Sequence, residues 1–391
     1  MPSHPIGDFF AVHFNPRREV AELALSRFLN VFGSAMFALF SAIYLYQIGF
    51  EPWQIMAGHA GGYLLRFFIN PLFGKFTAQY GYERTIAAAI PFAVMNYVML
   101  AWAPMWAPAF VISVVFYQIY LSFYWTGFHA DMAANARKDA RGRDFSLIVL
   151  LTLVAASVAP IAGGFIVDRA SFVVLLVITG LVQGASLIPL FTTRENVRPY
   201  KFSYFAPFRL LRKKDIRRFA VGLMGWGEEI VLVFLWPIFV FLVVQDYVVF
   251  GWIAGSATLV TGLLTFFAGM LADRRTKKGK RKGKGLQRVS TIVMSGVWVL
   301  RSFASSATQV FMLDTGSKWA RSFVSIMNAT KAYDKTDRAD RIALVILWNQ
   351  WVAFGKFLAG TVAAILLFVF AENLAAAFIP AALLSLLLLL L

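Results

Sequence analysis

Long stretches without a charged residue constrain this chain more than any other feature. Asp, Glu, Lys and Arg are absent from Phe28–Phe50, Thr85–Ala130, Tyr247–Ala272 and Asn373–Leu391. A helix needs about 20 mainly apolar residues to cross a membrane. The apolar runs are continuous and do not alternate with polar positions as lipid-facing barrel strands do. The sequence therefore predicts an all-α membrane protein.

The composition supports the same class. Of the 391 residues, 59% are hydrophobic and 15% are charged, whereas an average soluble domain has about 25% charged residues. So little charge cannot cover a water-exposed surface. The segment Met1–Glu22 is short and polar and the apolar run after it is too long for a signal peptide, so none is expected.

The apolar pattern predicts about twelve membrane helices. Their expected bounds are 21–47, 52–76, 85–103, 106–129, 145–167, 170–192, 219–244, 247–272, 288–304, 308–330, 342–370 and 373–391.

The distribution of basic residues predicts the orientation. Most of the 37 Lys and Arg residues fall in alternate connections, whereas the opposite connections hold only Arg169 and Arg301. Basic loops stay on the cytoplasmic side of a membrane. The amino terminus is therefore expected in the cytoplasm, with the chain in a prokaryotic inner membrane. Because topology explains the net charge of +17, no nucleic-acid partner is expected.

The middle of the chain predicts a linker between two halves. Residues 193–218 mix aromatic residues with a dense run of cations, a pattern typical of a segment lying on an anionic inner leaflet. We therefore expect a six-helix bundle over 1–192, a basic linker over 193–218 and a second bundle over 219–391.

Two similar motifs lie half a chain apart. The connection after the second helix carries Gly74, Gly81 and Arg84, and the connection after the eighth carries Gly269, Asp273 and Arg274. Pro160-x-x-Gly163-Gly164 in the fifth helix corresponds to the glycines at 355 and 360 in the eleventh. This spacing indicates an internal duplication.

With these motifs, and with Asp131 after the fourth helix, the chain resembles the major facilitator superfamily. The first motif departs from the family pattern, because Ala78 stands where the family has Asp. The resemblance implies two pseudo-symmetric six-helix bundles, a substrate site near the membrane centre and alternating access to it. It also implies that the loop residues hold a gate shut, although they could instead fix the loop geometry alone.

Charged residues inside membrane helices are costly and therefore mark candidate sites. Adjacent helix positions diverge by about 100°, so at most one of Glu228 and Glu229 is expected to point into a cavity. There it could carry a coupling proton or contact substrate, or else pair with a cation on another helix. Arg66 and Lys356 lie in the second and eleventh helices, where a structural pair between helices is expected.

Asp314, Lys318 and Arg321 share one face of the tenth helix. Asp314 and Lys318 can neutralise each other as an i, i+4 pair, so Arg321 is expected to be the unpaired cation, able to bind an anion or act in gating. On the fourth helix Gln118, Tyr124, Trp125 and His129 supply polar and aromatic groups, which either line a cavity or only pack. This helix lacks the Arg-x-x-Gln-Gly pattern of many proton-coupled members of the family.

These features predict a secondary transporter that acts as a monomer on a small molecule, driven by a proton or solute gradient. Efflux of a drug or metabolite is the first interpretation and uptake or exchange of an organic anion is the second. A non-transporting scaffold or sensor is the alternative from another class. No catalytic constellation, cofactor motif or metal-ligand spacing is present, the chain has no cysteine, and no phosphate-binding glycine loop occurs.

Overall fold

The protein is almost entirely helical. The computed structural model describes residues 18–135, 142–190, 199, 201–275, 282–334, 341–370 and 373–391, and these ranges contain no β-strand. The helices group into twelve segments, numbered α1 to α12 in chain order.

The first six segments are α1 (Arg18–Ala38 continued by Phe40–Gln47), α2 (Pro52–Tyr80), α3 (Tyr82–Trp102), α4 (Pro108–Asn135), α5 (Gly142–Arg169) and α6 (Phe172–Ala185 with Leu187–Leu190). A short helix, Ala206–Leu210, lies between the two sets. The next five are α7 (Lys214–Leu223, Met224–Glu228, Val231–Leu235 and Trp236–Val244), α8 (Tyr247–Arg275), α9 (Lys282–Arg301), α10 (Ala307–Asp334) and α11 (Arg341–Val369). The last, α12, comprises Leu374–Ala377, Phe378–Ser385 and Leu386–Leu390.

Eight of these segments are long and apolar enough to cross a membrane on their own sequence. The other four are α2, α9, α10 and α12. Segments α2 and α10 carry ionisable side chains inside 29 and 28 residues of helix, and α9 begins in a basic run. Arg66, Arg301 and Asp314 of these segments are buried inside the protein, and α12 is apolar but broken into short pieces. The predicted all-α membrane class is confirmed. Of the twelve predicted spans, eight are recognisable as membrane spans from their length and apolar composition.

The packing of the helices is pseudo-symmetric. In the first half α1 packs on α5, α3 on α4 and α2 on α4. In the second half the partners six helices later pack in the same way, α7 on α11, α9 on α10 and α8 on α10. Between the halves, α2 lies along α11 and α5 lies along α8. A rotation that exchanges the halves also exchanges these two contacts, so the packing has a pseudo-twofold axis.

Glycines allow the closest helix approaches within each half. A Cβ on Gly163 of α5 would clash with the backbone carbonyl of Met36 in α1. A Cβ on Gly355 of α11 would lie 2.7 Å from the Cα of Met224 in α7. Small residues let membrane helices pack backbone against backbone. The two glycine regions that suggested a duplication therefore allow the same close packing of helices in the two halves.

Two sequence expectations about helix ends are wrong. Segment α7 begins at Lys214 rather than at 219, inside the range expected to be linker. Arg301 was expected in a connection, but it ends α9 and its side chain is fully buried. Because its charge is neutralised inside the protein, this cation adds nothing to the charge of an outer loop. The domain boundaries at 192 and 219 stay predictions.

Candidate functional site

A central cavity of about 700 Å³ lies between the two halves. Its lining residues are Arg66 (α2), Trp125 and His129 (α4), Leu153 (α5), Trp226 and Glu229 (α7), Thr258, Thr261, Gly262 and Thr265 (α8), Lys318, Arg321, Ser322 and Ser325 (α10), and Trp348, Asn349, Val352 and Lys356 (α11). Each lies near the middle of its helix or toward the end that leads into the basic connections. The cavity therefore extends from the membrane centre toward the basic-loop side.

The opposite end of the bundle is closed by aromatic contacts between the halves. The Tyr247 ring stacks on Phe241 at 5.0 Å and meets Phe172 edge-on at 5.6 Å. The Gln47 side-chain amide donates a hydrogen bond to the Tyr247 hydroxyl. The Phe172 contact and the Gln47 hydrogen bond join α6 and α1 of the first half to α8 of the second, while the Phe241 contact holds α7 against α8.

One ion network surrounds the paired glutamates of α7. The Glu228 carboxylate is fully buried, pairs with Arg321 and accepts a hydrogen bond of 2.9 Å from the indole N–H of Trp298. Glu229 lies in the cavity wall with its side chain 35% exposed. Its carboxylate lies 2.7 Å from Lys356 Nζ and 3.6 Å from Arg321 Nη2. As expected from helix geometry, only one of the two glutamates faces the cavity.

A second network joins α9 and α10. Asp314 lies 3.1 Å from Arg301 Nη2 and 3.9 Å from Lys318 Nζ, and it accepts a hydrogen bond of 2.7 Å from the indole of Trp236. The Arg301 guanidinium lies 4.5 Å from the Trp236 ring. Lys318 also donates to the Thr258 hydroxyl at 3.1 Å. Asp314 thus neutralises a buried arginine first and its i+4 lysine second.

Arg66 of α2 is a cation without a carboxylate partner among the described residues. It lines the cavity although the whole residue is only 4% exposed. Nη2 donates one long hydrogen bond of 3.3 Å to the Leu121 carbonyl, and Nε finds no partner within the described part of the chain. A guanidinium has five N–H donors, so most of the hydrogen-bonding capacity of Arg66 remains free for a bound group.

Three nearly parallel rings form one side of the cavity, named here the ring stack: Trp125, His129 and Trp348. The Trp125 and His129 rings lie 5.3 Å apart at 24°, and the His129 and Trp348 rings lie 6.0 Å apart at 28°. Trp125 and His129 belong to α4 and Trp348 to α11, so the stack crosses from one half to the other. All three side chains are partly exposed.

The structure brings together most of the residues selected from sequence. Glu229, Arg321, Lys318, Arg66, Trp125 and Lys356 share the cavity wall. Glu228, Asp314 and Gln118 lie behind it; the Gln118 amide sits against Gly62, where a Cβ would come within 3.2 Å of its nitrogen. None of these placements tests a role in transport.

Two expectations about pairing are wrong. Arg321 was expected to be unpaired, but it forms an ion pair with Glu228 because α7 and α10 bring the two side chains together. Arg66 was expected to make a structural pair with another helix, yet no carboxylate of the described residues reaches it. Sequence spacing gives the face of a helix, but not which neighbour covers that face.

The loop candidates divide into two groups. Gly81 connects α2 to α3 with φ +96°, a conformation that favours glycine, and a Cβ on Gly74 would lie 2.8 Å from Ile346 of α11. Arg84 lies exposed at the start of α3. Asp131, Gly269, Asp273 and Arg274 lie in helices, but their side chains fall outside the described residues. Their gating role stays a prediction.

Sequence reasoning missed three parts of this site. Trp298, Trp348 and Asn349 were not selected, because one Trp or Asn in an apolar helix gives no distinguishing signal. The spacing of Thr258, Thr261 and Thr265 at i, i+3 and i+7 on α8 places three hydroxyls on one face. That pattern was readable and could have indicated a polar cavity wall.

Comparison with known proteins gives a family and a fold. A family model described as Major Facilitator Superfamily matches residues 23–313. The crystal structure of a point mutant of the nucleoside transporter NupG is 14% identical with a TM-score of 0.70, covering 95% of this chain and 98% of that one. The crystal structure of the human organic anion transporter MFSD10 (TETRAN) is 15% identical with a TM-score of 0.64, covering 96% and 99%. No curated protein matches the sequence.

Proposed function

The chain belongs to the major facilitator superfamily, and on that premise we propose that it is a secondary transporter whose central cavity binds a small organic anion. Members of this superfamily are transporters rather than enzymes, and the two-bundle fold fits alternating access to one site. The substrate is therefore a small molecule, and the charges of the cavity indicate its class.

The observation that carries the proposal is Arg66. A cation buried from water is costly unless it is paired, and this one has no carboxylate partner among the described residues. It faces a cavity large enough for a small organic molecule, since ligand pockets typically measure about 300–1,000 Å³. A substrate carboxylate, sulfonate or phosphate would supply the missing acceptors in a charge-assisted, bidentate arrangement.

The wider charge balance supports the same class. The described lining carries four cations, Arg66, Lys318, Arg321 and Lys356, against the single carboxylate of Glu229. Including the buried partners Arg301, Glu228 and Asp314, the cations still exceed the carboxylates by two. Efflux of a drug or metabolite was the first expectation, and a lining with this excess of cations disfavours a cationic drug. Transport of an organic anion is the better-supported interpretation.

Glu229 is the group we propose for coupling to protons. Unlike Glu228, it borders the cavity and can exchange a proton with water there. A protonated Glu229 would leave Lys356 free to attract the substrate, which links proton binding and anion binding at one pair. The name of the MFSD10 structure mentions organic anions, but at 15% identity the likeness supports the fold alone.

We also propose that the amino terminus and the basic connections lie in the cytoplasm of a prokaryotic cell, and that the transporter acts as a monomer. The structure would then have its cavity directed inward. Arg209, Arg212, Lys213 and Lys214 are exposed beside Phe205, whose side chain is 63% exposed. Cations next to an exposed aromatic residue suit contact with an anionic inner leaflet.

Binding of matched ligands by the purified protein tests the anion proposal. Naphthoate, its neutral amide and the corresponding naphthylmethylammonium share one skeleton, and a ligand at 100 times its dissociation constant stabilises a fold by about 2.7 kcal/mol. We expect a thermal shift with the anion only. The shift should be lost in Arg66→Gln and only partly kept in Arg66→Lys, since a lysine preserves the charge but not the bidentate donors.

Arg209→Gln is the control variant, because it removes an exposed cation away from the cavity. Its anion binding should equal that of the unmodified protein. Stabilisation by the ammonium ligand and none by any anion of a broader panel would overturn the proposal. Uptake into proteoliposomes with and without a pH gradient, compared with Glu229→Gln, then tests the coupling step.

A further inference from the structure

We infer that the anion bound by this cavity carries a flat aromatic ring, which lies against the ring stack of Trp125, His129 and Trp348. This inference rests on the proposed anion-binding function and narrows its substrate class.

The ring stack presents aromatic surface to the cavity itself. All three rings belong to the cavity lining and none is fully buried. Trp and Tyr near the ends of membrane helices commonly act as interfacial anchors. Trp125 and Trp348, however, lie well inside α4 and α11 and border an internal space. Rings that contact a cavity are available to a ligand.

A fourth ring extends the aromatic surface toward the charges. Trp226 of α7 also lines the cavity, and the Arg321 guanidinium carbon lies 5.0 Å from its ring centre. Lys356 Nζ lies 5.0 Å from the Tyr63 ring in the same way. A cation over an aromatic face is held by the ring quadrupole. Two of the cavity cations, Arg321 and Lys356, therefore lie against aromatic rings.

The side facing α8 and α10 has a different character. It carries five hydroxyl groups, those of Thr258, Thr261, Thr265, Ser322 and Ser325. Four of these hydroxyls donate to carbonyls of their own helix and retain acceptor capacity. A ligand between the two sides contacts aromatic side chains on one and hydroxyl groups on the other. That environment suits a flat ring with polar edges better than a purely aliphatic body.

Two residues of the cavity lining carry side-chain donors that a bound anionic group could use. Arg66 Nε and Asn349 Nδ2 are both without a partner among the described residues, and both residues line the cavity. Asn349 follows Trp348 directly in α11, and both residues line the cavity. An anion held by Arg66 would lie in the same cavity as the ring stack.

A pair of ligands that differ only in aromaticity tests the inference. Naphthoate and its decahydro derivative share the carboxylate and the carbon skeleton, and the saturated compound is the more hydrophobic. The benzoate and cyclohexanecarboxylate pair repeats the comparison at a smaller size. With isothermal titration calorimetry on the full chain in detergent, we expect the aromatic member of a pair to bind roughly tenfold more tightly.

Variants of the ring stack test whether the aromatic ring of the ligand binds there. Trp348→Leu and Trp125→Leu should reduce the preference for the aromatic ligand to near unity, whereas Trp348→Phe should restore most of it. Trp102→Leu is the matched control, because Trp102 lies at the end of α3 with 54% exposure. It should leave the preference unchanged.

The outcomes separate this inference from the proposed function. Equal binding within each pair, lost in Arg66→Gln, would overturn the aromatic inference while the anion proposal stands. An aromatic preference that survives both Leu variants would overturn the assignment to the ring stack. Absence of binding by every carboxylate tested would overturn both.

Discussion

Seven charged side chains pair with one another beside the cavity, and they differ in how deeply they are buried. They are Glu228, Glu229, Arg301, Asp314, Lys318, Arg321 and Lys356. Glu228 is fully buried and contacts both Arg321 and Trp298. Glu229, one position later, is partly exposed and contacts Lys356. Removing one partner of a buried ion pair leaves the other charge uncompensated. Adjacent residues of one type should therefore respond differently to the same substitution.

Glu228→Gln should destabilise the protein strongly. Loss of this carboxylate leaves Arg321 with only the more distant Glu229, and breaking a buried pair costs about 3–5 kcal/mol. We expect the unfolding temperature in detergent to fall by roughly 5 °C or more. Glu229→Gln, the matched control, should lower it much less because its side chain is 35% exposed.

The double variant Glu228→Gln/Arg321→Gln separates loss of the pair from loss of a hydrogen bond. Since neither charge is then left alone, part of the stability should return relative to Glu228→Gln. Equal unfolding temperatures for the Glu228 and Glu229 single variants would contradict the assigned burial.

At this scale the sequence identified the charges but not their partners. Intramembrane charges stand out by their cost, which is why Glu228, Asp314 and Arg321 could be selected at once. The pairing of Arg321 with Glu228 joins helices almost a hundred residues apart, and no local spacing encodes that distance. The unpaired state of Arg66 depends equally on long-range packing.

Segment α7 is irregular where the glutamates lie. It is α-helical to Leu223, then a 3₁₀ helix over Met224–Glu228 and a π-helix over Val231–Leu235. Departures of this kind are frequent at functional sites because they redirect side chains. Here Glu228 ends the 3₁₀ helix and Glu229 lies between it and the π-helix. The 3₁₀ helix packs against α11. Glycines on both sides permit that contact.

Gly227→Ala should disrupt the contact between α7 and α11. A Cβ there would lie 2.5 Å from the carbonyl carbon of Gly355, and backbone atoms cannot move aside as a flexible side chain can. We expect a clear drop in unfolding temperature and a smaller monodisperse fraction in size-exclusion chromatography.

Gly316→Ala in α10 is the matched control, since no atom lies within 4 Å of the added methyl group. Alanine is favoured over glycine in a helix by about 0.5–1 kcal/mol, so this variant should be neutral or slightly more stable. If Gly227→Ala behaved in the same way, the helices would not approach as closely as described.

Helices were the most predictable level of structure. Continuous apolar runs and the alternation of basic loops placed most of the segments within a few residues of their observed bounds. The irregular middle of α7 was not predicted, because Gly225-Trp226-Gly227 resembles many glycine-containing membrane segments that remain α-helical. The irregular segment packs against α11, and the local sequence does not contain that contact.

The whole molecule has one closed end and one cavity-bearing end. Tyr247 is central to the closed end, where it contacts α1, α6 and α7. The duplicated sequence predicted two bundles with a site between them, since each half repeats the same helix contacts. It could not predict which end is closed, because alternating access uses one sequence for both states.

Cysteine labelling should reveal the side to which the cavity opens. The chain has no cysteine, so a single thiol reports without background. Val352→Cys, in the cavity wall, should react with a membrane-impermeant maleimide in inside-out vesicles and not in right-side-out vesicles. Ser306→Cys, exposed between α9 and α10, should react with the opposite preference. Labelling of both thiols from the same side would contradict the proposed orientation and the inward-directed cavity together.

Tyr247→Ala should shift the balance of states toward opening at the closed end. The substitution removes one ring contact between the halves, with Phe172, worth about 0.5–1.5 kcal/mol beyond area burial, and the hydrogen bond from Gln47, so the equilibrium should move severalfold toward opening. In a Val352→Cys background, labelling in right-side-out vesicles should become detectable. Tyr247→Phe keeps both ring contacts and loses only the hydrogen bond from Gln47, so its labelling should stay close to that of the parent. If Tyr247→Ala leaves labelling from that side at the parent level, the closure must depend on the backbone contacts between α5 and α8 rather than on the aromatic residues.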